Sequence, residues 1–77
     1  MSKKKVDKNF IITPRETEII LLCTKDYTRK MIAETLKISI RTVDTHLKNI
    51  HIKTKTHTLA GVVSYGFQFL KELKKLS

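Results

Sequence analysis

Apolar positions recur at helical intervals from residue 12 to residue 73, and short polar links interrupt them three times. Thr13-Pro14-Arg15-Glu16 reads as a helix start. The Thr13 hydroxyl can accept from the Glu16 amide while the Glu16 carboxylate reaches back to the Thr13 amide. Pro14 stands at the first helical position, where its missing N–H costs nothing. Ile12 is placed to pack back on Thr17 or Ile20. The spacing predicts a first helix to about Thr24 that buries Ile19, Ile20, Leu22 and Cys23. Lys25-Asp26-Tyr27 then breaks the pattern, and aspartate tolerates the left-handed conformation that ends many helices. Thr28 caps a second helix, Arg29 to Leu36, with Ile32, Ala33 and Leu36 inward and Met31 at the flank. The small Ala33 suits a close helix–helix crossing.

Lys37-Ile38 is a tight connection, and Ser39 caps a third helix that extends to about Thr54. Ile40, Val43, Leu47 and Ile50 form one narrow inward stripe. At about 100° per residue, the opposite face carries Arg41, Thr45 and Lys48. Asp44 and Ile52 border that face, and Asn49 lies further round. After a polar link from Lys53 to His57, Thr58 caps a fourth helix to about Leu73. Its main stripe is Leu59, Val62, Val63, Gly66, Phe67, Leu70 and Leu73. Tyr65, Phe69 and Leu76 make a second strip beside it, more apolar surface than a small core covers. The predicted fold class is all-α, with four helices.

Seventy-seven residues make one small domain, on a prior of one domain per ~150 residues. Its core is modest, because a chain this short buries only ~60% of the surface it exposes when unfolded. Sixteen Lys and Arg stand against seven Asp and Glu, a formal net charge of +9. That excess favours a polyanionic partner, nucleic acid before an anionic membrane. Only two glycines and one proline are present, which disfavours a turn-rich β-sandwich. The single cysteine, Cys23, excludes an internal disulfide framework and reads as a small apolar core residue rather than a redox sensor. The longest apolar run, Ile19 to Cys23, is far short of a bilayer span. Residues 1–9 carry four lysines and lack the apolar core of a secretory signal. They read as a flexible basic arm or a solubilising leader, and a cytoplasmic, reducing compartment is expected.

Helices 29–36 and 39–54, joined by two or three residues, make a helix-turn-helix over about 29–48. In that motif the second helix lies in the DNA major groove, held from behind by its inner stripe. The Ser39 cap and the helix dipole favour a phosphate at its start.

The run from Ile12 to Thr54 resembles the LuxR/FixJ-type, or GerE-like, helix-turn-helix domain. The residues that carry the likeness are Thr13-Pro14-Arg15-Glu16 with Glu18, Lys30, Ile32-Ala33, Leu36, Ile38-Ser39, Thr42-Val43, His46, Ile50 and Lys53. Each piece is weak alone; the ordered set is highly specific and covers roughly residues 10–70. The resemblance implies four helices, the third as recognition helix and the fourth for dimerisation, in a bacterial transcriptional regulator. It implies base-reading positions at Asp44, Thr45 and Lys48, and phosphate contacts around Thr28, Lys30, Thr42 and His46. Arg29, Ser39, Arg41 and Asn49 complete the candidate DNA-binding set. Val62, Tyr65 and Phe69 are the candidate dimerisation residues. Three positions depart from the family. Asp26 stands for a glycine after the first helix, Asp44 for a lysine or glutamate after Thr-Val, and Thr54-Lys55-Thr56 for an apolar, glycine-containing stretch. Family members carry receiver or ligand-binding domains ahead of this one. The chain is therefore expected to be a free-standing member or an isolated C-terminal output domain.

Several residues have simpler readings. Arg41 contacts DNA or forms a surface ion pair with Asp44. Asp44 accepts from a cytosine amino group or pairs with Arg41 or Lys48. Tyr65 and Phe69 form an internal cluster or half of a two-fold contact. His46, His51 and His57 lack the spacing that puts metal ligands on one helix face. No metal, cofactor, small-molecule ligand or enzymatic activity is expected. The leading expectation is a homodimer, joined through the fourth helix, on an inverted repeat in double-stranded DNA, with RNA polymerase as a candidate further partner. The alternative is a protein-interaction module of the same fold that modulates a full-length regulator by dimerising with it. A third reading, a basic membrane-surface helix over 58–77, requires the fourth helix to be free, whereas the core needs its main stripe. No membrane partner is therefore expected.

Overall fold

The computed structural model describes residues 11–76, with side chains as far as Lys74. The expected arm at 1–9 and the Leu76 side chain lie outside the described residues. Four helices follow one another: α1 (Pro14–Thr24), α2 (Arg29–Leu36), α3 (Ile40–Thr54) and α4 (Leu59–Leu76). The described residues contain no strand. The first three helices match the bounds read from the sequence, and α4 runs three residues past the expected Leu73.

Each start has the cap its sequence dictates. At α1, Thr13 Oγ1 accepts from the Glu16 amide at 3.1 Å, and the Thr13 amide donates to Glu16 Oε1 at 2.9 Å. Thr28, Ser39 and Thr58 accept from the amides of Met31, Thr42 and Gly61. The three helix ends inside the domain also share one device. Asp26, Lys37 and Lys55 adopt left-handed φ values of 67°, 58° and 58°. The chain then turns back, so that the Tyr27 amide reaches the Leu22 carbonyl, Ile38 that of Ala33 and Thr56 that of His51. These are Schellman-type ends built without glycine. The expectation for Asp26 holds, and the Thr54-Lys55-Thr56 departure is accommodated the same way.

α1 packs chiefly on α4 and α2 on α3, while α3 also touches α1 and α4. The buried core is Ile19, Ile20, Cys23, Ile32, Ala33, Val43, Leu47, Ile50 and Val62. Burial pushes the Cys23 thiol above its ordinary range, which keeps it protonated and apolar. Two expectations need correction. Ile40 is 40% exposed, not inward, because it is the first residue of α3 and projects past the cover of α2. The main stripe of α4 is divided: Val62 and Gly66 stay inside, and part of the second strip joins them. Tyr65 and Phe69 are half-buried, and Phe69 shares a small pocket with Ile12, Thr17 and Ile20. Leu59, Phe67 and Leu73, assigned to the core stripe, are 41%, 52% and 46% exposed. The reason is which side of α4 is covered and how much of it: Tyr65, Gly66 and Phe69 face α1, and Phe67 does not. α1 has 11 residues and α4 has 18, about 16 Å against 27 Å, so α1 covers one side of part of α4.

The α1–α4 contact is close at Gly66. A Cβ there would meet the Thr24 Cγ2 methyl at 2.4 Å and that of Ile20 at 3.0 Å. Thr24 is not free to turn away, since its hydroxyl donates to the Leu21 carbonyl at 2.6 Å.

One buried ion pair joins α1 to α3. Lys53 Nζ lies 2.8 and 2.9 Å from the two Glu16 carboxylate oxygens and donates to the Ile11 carbonyl at 3.0 Å. Burial works against the Glu16 charge. The hydrogen bond from Lys53, the Thr13 amide and the charge of Lys53 outweigh it, holding the carboxyl below its ordinary value of 4.5.

Two outcomes are expected. Gly66→Ala destabilises the domain by about 1–3 kcal/mol in thermal unfolding followed by circular dichroism, and adding Thr24→Ser recovers much of the loss. Glu16→Gln costs about 2–3 kcal/mol, because it leaves a mostly buried ammonium with neutral carbonyl acceptors and no counter-charge. In the unfolded chain Glu16 titrates at its ordinary value, so its stabilisation is complete above pH 4.5 and is lost as pH falls through the lower folded value. Denaturant unfolding between pH 7 and pH 3 should show that acid limb in the wild type and a shallower one in Glu16→Gln.

Candidate nucleic-acid interface

The second and third helices are joined by Lys37, Ile38 and Ser39. The left-handed Lys37 makes this connection tight. Ile38 folds half-buried against the core, and Ser39 is free to cap α3. Its hydroxyl also lies 2.9 Å from that of Thr42, so the first turn of α3 is fixed by side chains. Helix geometry leaves the Ile40 and Arg41 amides without intrahelical acceptors, and the dipole adds positive potential at the same end.

α3 has two unlike sides. Val43, Leu47 and Ile50 are at most 5% exposed and bind it to the core. Arg41, Thr42, Asp44, Thr45, Lys48 and Asn49 are all exposed. The Thr45 hydroxyl donates back to the Arg41 carbonyl at 3.2 Å, which settles its rotamer on the outer face. His46 is half-buried at the edge. Thr28, Arg29, Lys30 and Ser39 are exposed at the starts of α2 and α3. The structure thus brings the candidate set to the helix-turn-helix surface, with His46 least accessible.

Two site residues are placed differently from expectation. Asp44 pairs with neither Arg41 nor Lys48: its Oδ1 accepts from Arg29 Nη1, across from the start of α2. Val62, expected at a dimer contact, is completely buried. It faces the α1–α3 side of α4 and belongs to the core. Tyr65 and Phe69 also turn toward α1, so the large apolar groups that α4 leaves exposed are Leu59, Phe67 and Leu73, with Lys71, Lys74 and the half-buried Leu70 beside the last two.

A further group escaped the sequence reading. Lys55 and His57 line a shallow groove with Asp44, Lys48 and Ile52, the last already read as a border of the outer face, and extend that face beyond α3 into the α3–α4 link. The available signal was Lys55, a cation in a link read only as polar. His51 is held inside it by a 2.8 Å hydrogen bond between its Nδ1 and Thr56 Oγ1. Among the described residues, no three His, Cys, Asp or Glu side chains converge as metal ligands. No helix there is long and apolar enough to cross a membrane.

Two helices joined by three residues, the second braced on one flank and basic on the other, define a DNA-binding helix-turn-helix domain of the four-helix, all-α kind. Residues 11–65 match the family described as bacterial regulatory proteins, luxR family, and the chain belongs to that family, as the resemblance implied. It is 39% identical over 66 residues to the response regulator protein VraR of Staphylococcus aureus, and equally to that of Staphylococcus epidermidis. Those matches cover 86% of this chain and 32% of the relatives, so the chain spans about a third of their length. No solved structure matches it.

Because Arg41 and Lys48 are exposed, Arg41→Ala and Lys48→Ala should each change folding stability by no more than about 0.5 kcal/mol in denaturant titrations. A larger loss would place these side chains in the fold rather than on its surface.

Proposed function

We propose that this domain binds double-stranded DNA sequence-specifically within a bacterial transcriptional regulator, with α3 in the major groove. The observation that carries this reading is the outward presentation of Arg41, Thr45 and Lys48 on a helix whose opposite side is locked by Val43, Leu47 and Ile50. Thr45 and Lys48 meet base edges near the centre of the exposed face. Thr28, Lys30, Ser39, Thr42 and His46 meet the backbone on either side, helped by the free amides at the start of α3.

The domain acts as a homodimer through α4. Phe67 and Leu73 support this, being large apolar groups left exposed on the helix side away from α1. Paired domains place two α3 helices in successive major grooves, about 34 Å apart, on an imperfect inverted repeat. The same exposed strip favours a second reading, in which the domain dimerises with a full-length regulator and modulates it without binding DNA tightly. The formal +9 charge and the uncovered reading face favour DNA.

Selection of bound duplexes from a random pool, followed by anisotropy titrations at stepped salt, tests this reading. If a dimer neutralises about eight phosphates, log K falls with log salt at a slope near −7. Lys48→Ala should cost about 1–3 kcal/mol and relax preference at one base pair per half-site. Failure to enrich any sequence, with a hetero-complex formed on mixing with a full-length regulator, would instead support the interaction module.

A further inference from the structure

The ion pair between Arg29 and Asp44 has no part in the reading above. Arg29 is the first residue of α2, and Asp44 lies fifteen residues later at the border of the outer face of α3. The side chains are 50% and 48% exposed, so the pair stands in solvent at the seam between the two helices of the motif. A pair so exposed adds little to folding. A bare carboxylate at this place would repel phosphates, and the family likeness alone would make Asp44 a reader of bases.

The geometry supports a different role. Asp44 Oδ1 takes one N–H of a guanidinium that carries several more, and the rest stay available to another acceptor. In helix-turn-helix docking the first helix of the motif crosses the sugar–phosphate backbone while the second enters the groove. Arg29 begins that first helix, beside Thr28 and Lys30. We infer that Asp44 is a positioning residue: it reads no base, but holds the Arg29 guanidinium where it donates to a DNA phosphate. The inference rests on the DNA-binding reading.

Two effects compete, and they have opposite signs. Asp44 brings a negative charge toward a polyanion, which weakens binding. It also orders a long side chain before DNA arrives, so less rotamer freedom is lost on binding. On charge alone, Asp44→Ala should tighten binding. If Asp44 acts by positioning Arg29, the same substitution weakens it, but only while Arg29 is present.

The experiment is a double-mutant cycle with wild type, Asp44→Ala, Arg29→Ala and the double variant. Each protein is titrated against a selected duplex and a scrambled one. Circular dichroism melts confirm that all four fold. Asp44→Ala should weaken binding about three- to tenfold on both duplexes, although it makes the protein more positive. Arg29→Ala should weaken binding and reduce the magnitude of the salt slope by about one per subunit. In the Arg29→Ala background, Asp44→Ala should produce no further loss. Asp44→Asn, which keeps an acceptor oxygen for Arg29, should recover most of the affinity lost in Asp44→Ala. Tighter binding by Asp44→Ala, or an equal loss in both backgrounds, would overturn the inference. So would a changed preference at one base pair that persists without Arg29, which would make Asp44 a direct reader of cytosine. A wild-type protein that binds neither duplex would overturn the DNA-binding reading itself, a result distinct from these.

Discussion

The placement of α3 depends on the contact between Lys53 and Glu16. Burial of Val43, Leu47 and Ile50 holds α3 against the core, but burial is non-directional and fixes neither the axial position nor the roll of a helix closely. The ammonium of Lys53, caught between both Glu16 oxygens and the Ile11 carbonyl, is directional. It fastens the C-terminal turn of α3 to the N-terminal turn of α1. Glu16 simultaneously closes the capping box on Thr13, so the start of α1 and the end of α3 are set by one carboxylate. An apolar pair of similar volume would avoid the desolvation of two charges. It would leave α3 freer to slide, and a helix that reads base edges tolerates little of that.

The same preference for placement over stability appears in the turns. Left-handed positions favour glycine, and an L side chain there costs on the order of 1 kcal/mol. Lys37 and Lys55 accept that strain. In return each sets a cation beside the negative end of a helix dipole. Lys37 does so within the helix-turn-helix connection, and Lys55 in the groove that continues the basic face past α3. Glycine at these positions would make steadier turns and a less positive surface.

Much of the fold was legible because its signals are local. Caps at Thr13, Thr28, Ser39 and Thr58, and a breaker at Asp26, are written within four residues of the bonds they make. They placed the first three helices to within about a residue. What was not legible depends on partners far along the chain. The Arg29–Asp44 and Glu16–Lys53 pairs span 15 and 37 residues, and periodicity carries no information about which face of one helix meets which end of another. Arg29 and Asp44 were each recognised as surface residues of the motif, but their mutual contact was not. On α4, both strips have helical spacing. Only the length and position of α1 decide that Tyr65 and Phe69 turn inward while Phe67 and Leu73 do not. The dimer assignment of Val62 fails while its place in the main stripe holds, since an apolar residue in the middle of an amphipathic helix serves the core unless nothing covers it.

The mismatch between α1 and α4 also bears on how reading would be coordinated between two copies. Val62, on the inner side of α4, belongs to the same buried cluster as Ile50 and Leu47 of α3. Phe67 lies on the outer side of α4, little more than a turn further on. A second domain seated on Phe67, Leu70 and Leu73 would be joined to α3 through close-packed side chains alone, with no mobile loop between. Gly66 lets α4 approach α1 closely at that level, and the approach leaves little room for α4 to shift or roll. A rigid path of this kind would convert the geometry of an α4–α4 contact directly into the separation of two α3 helices. The exposed strip would then set half-site spacing as well as oligomeric state.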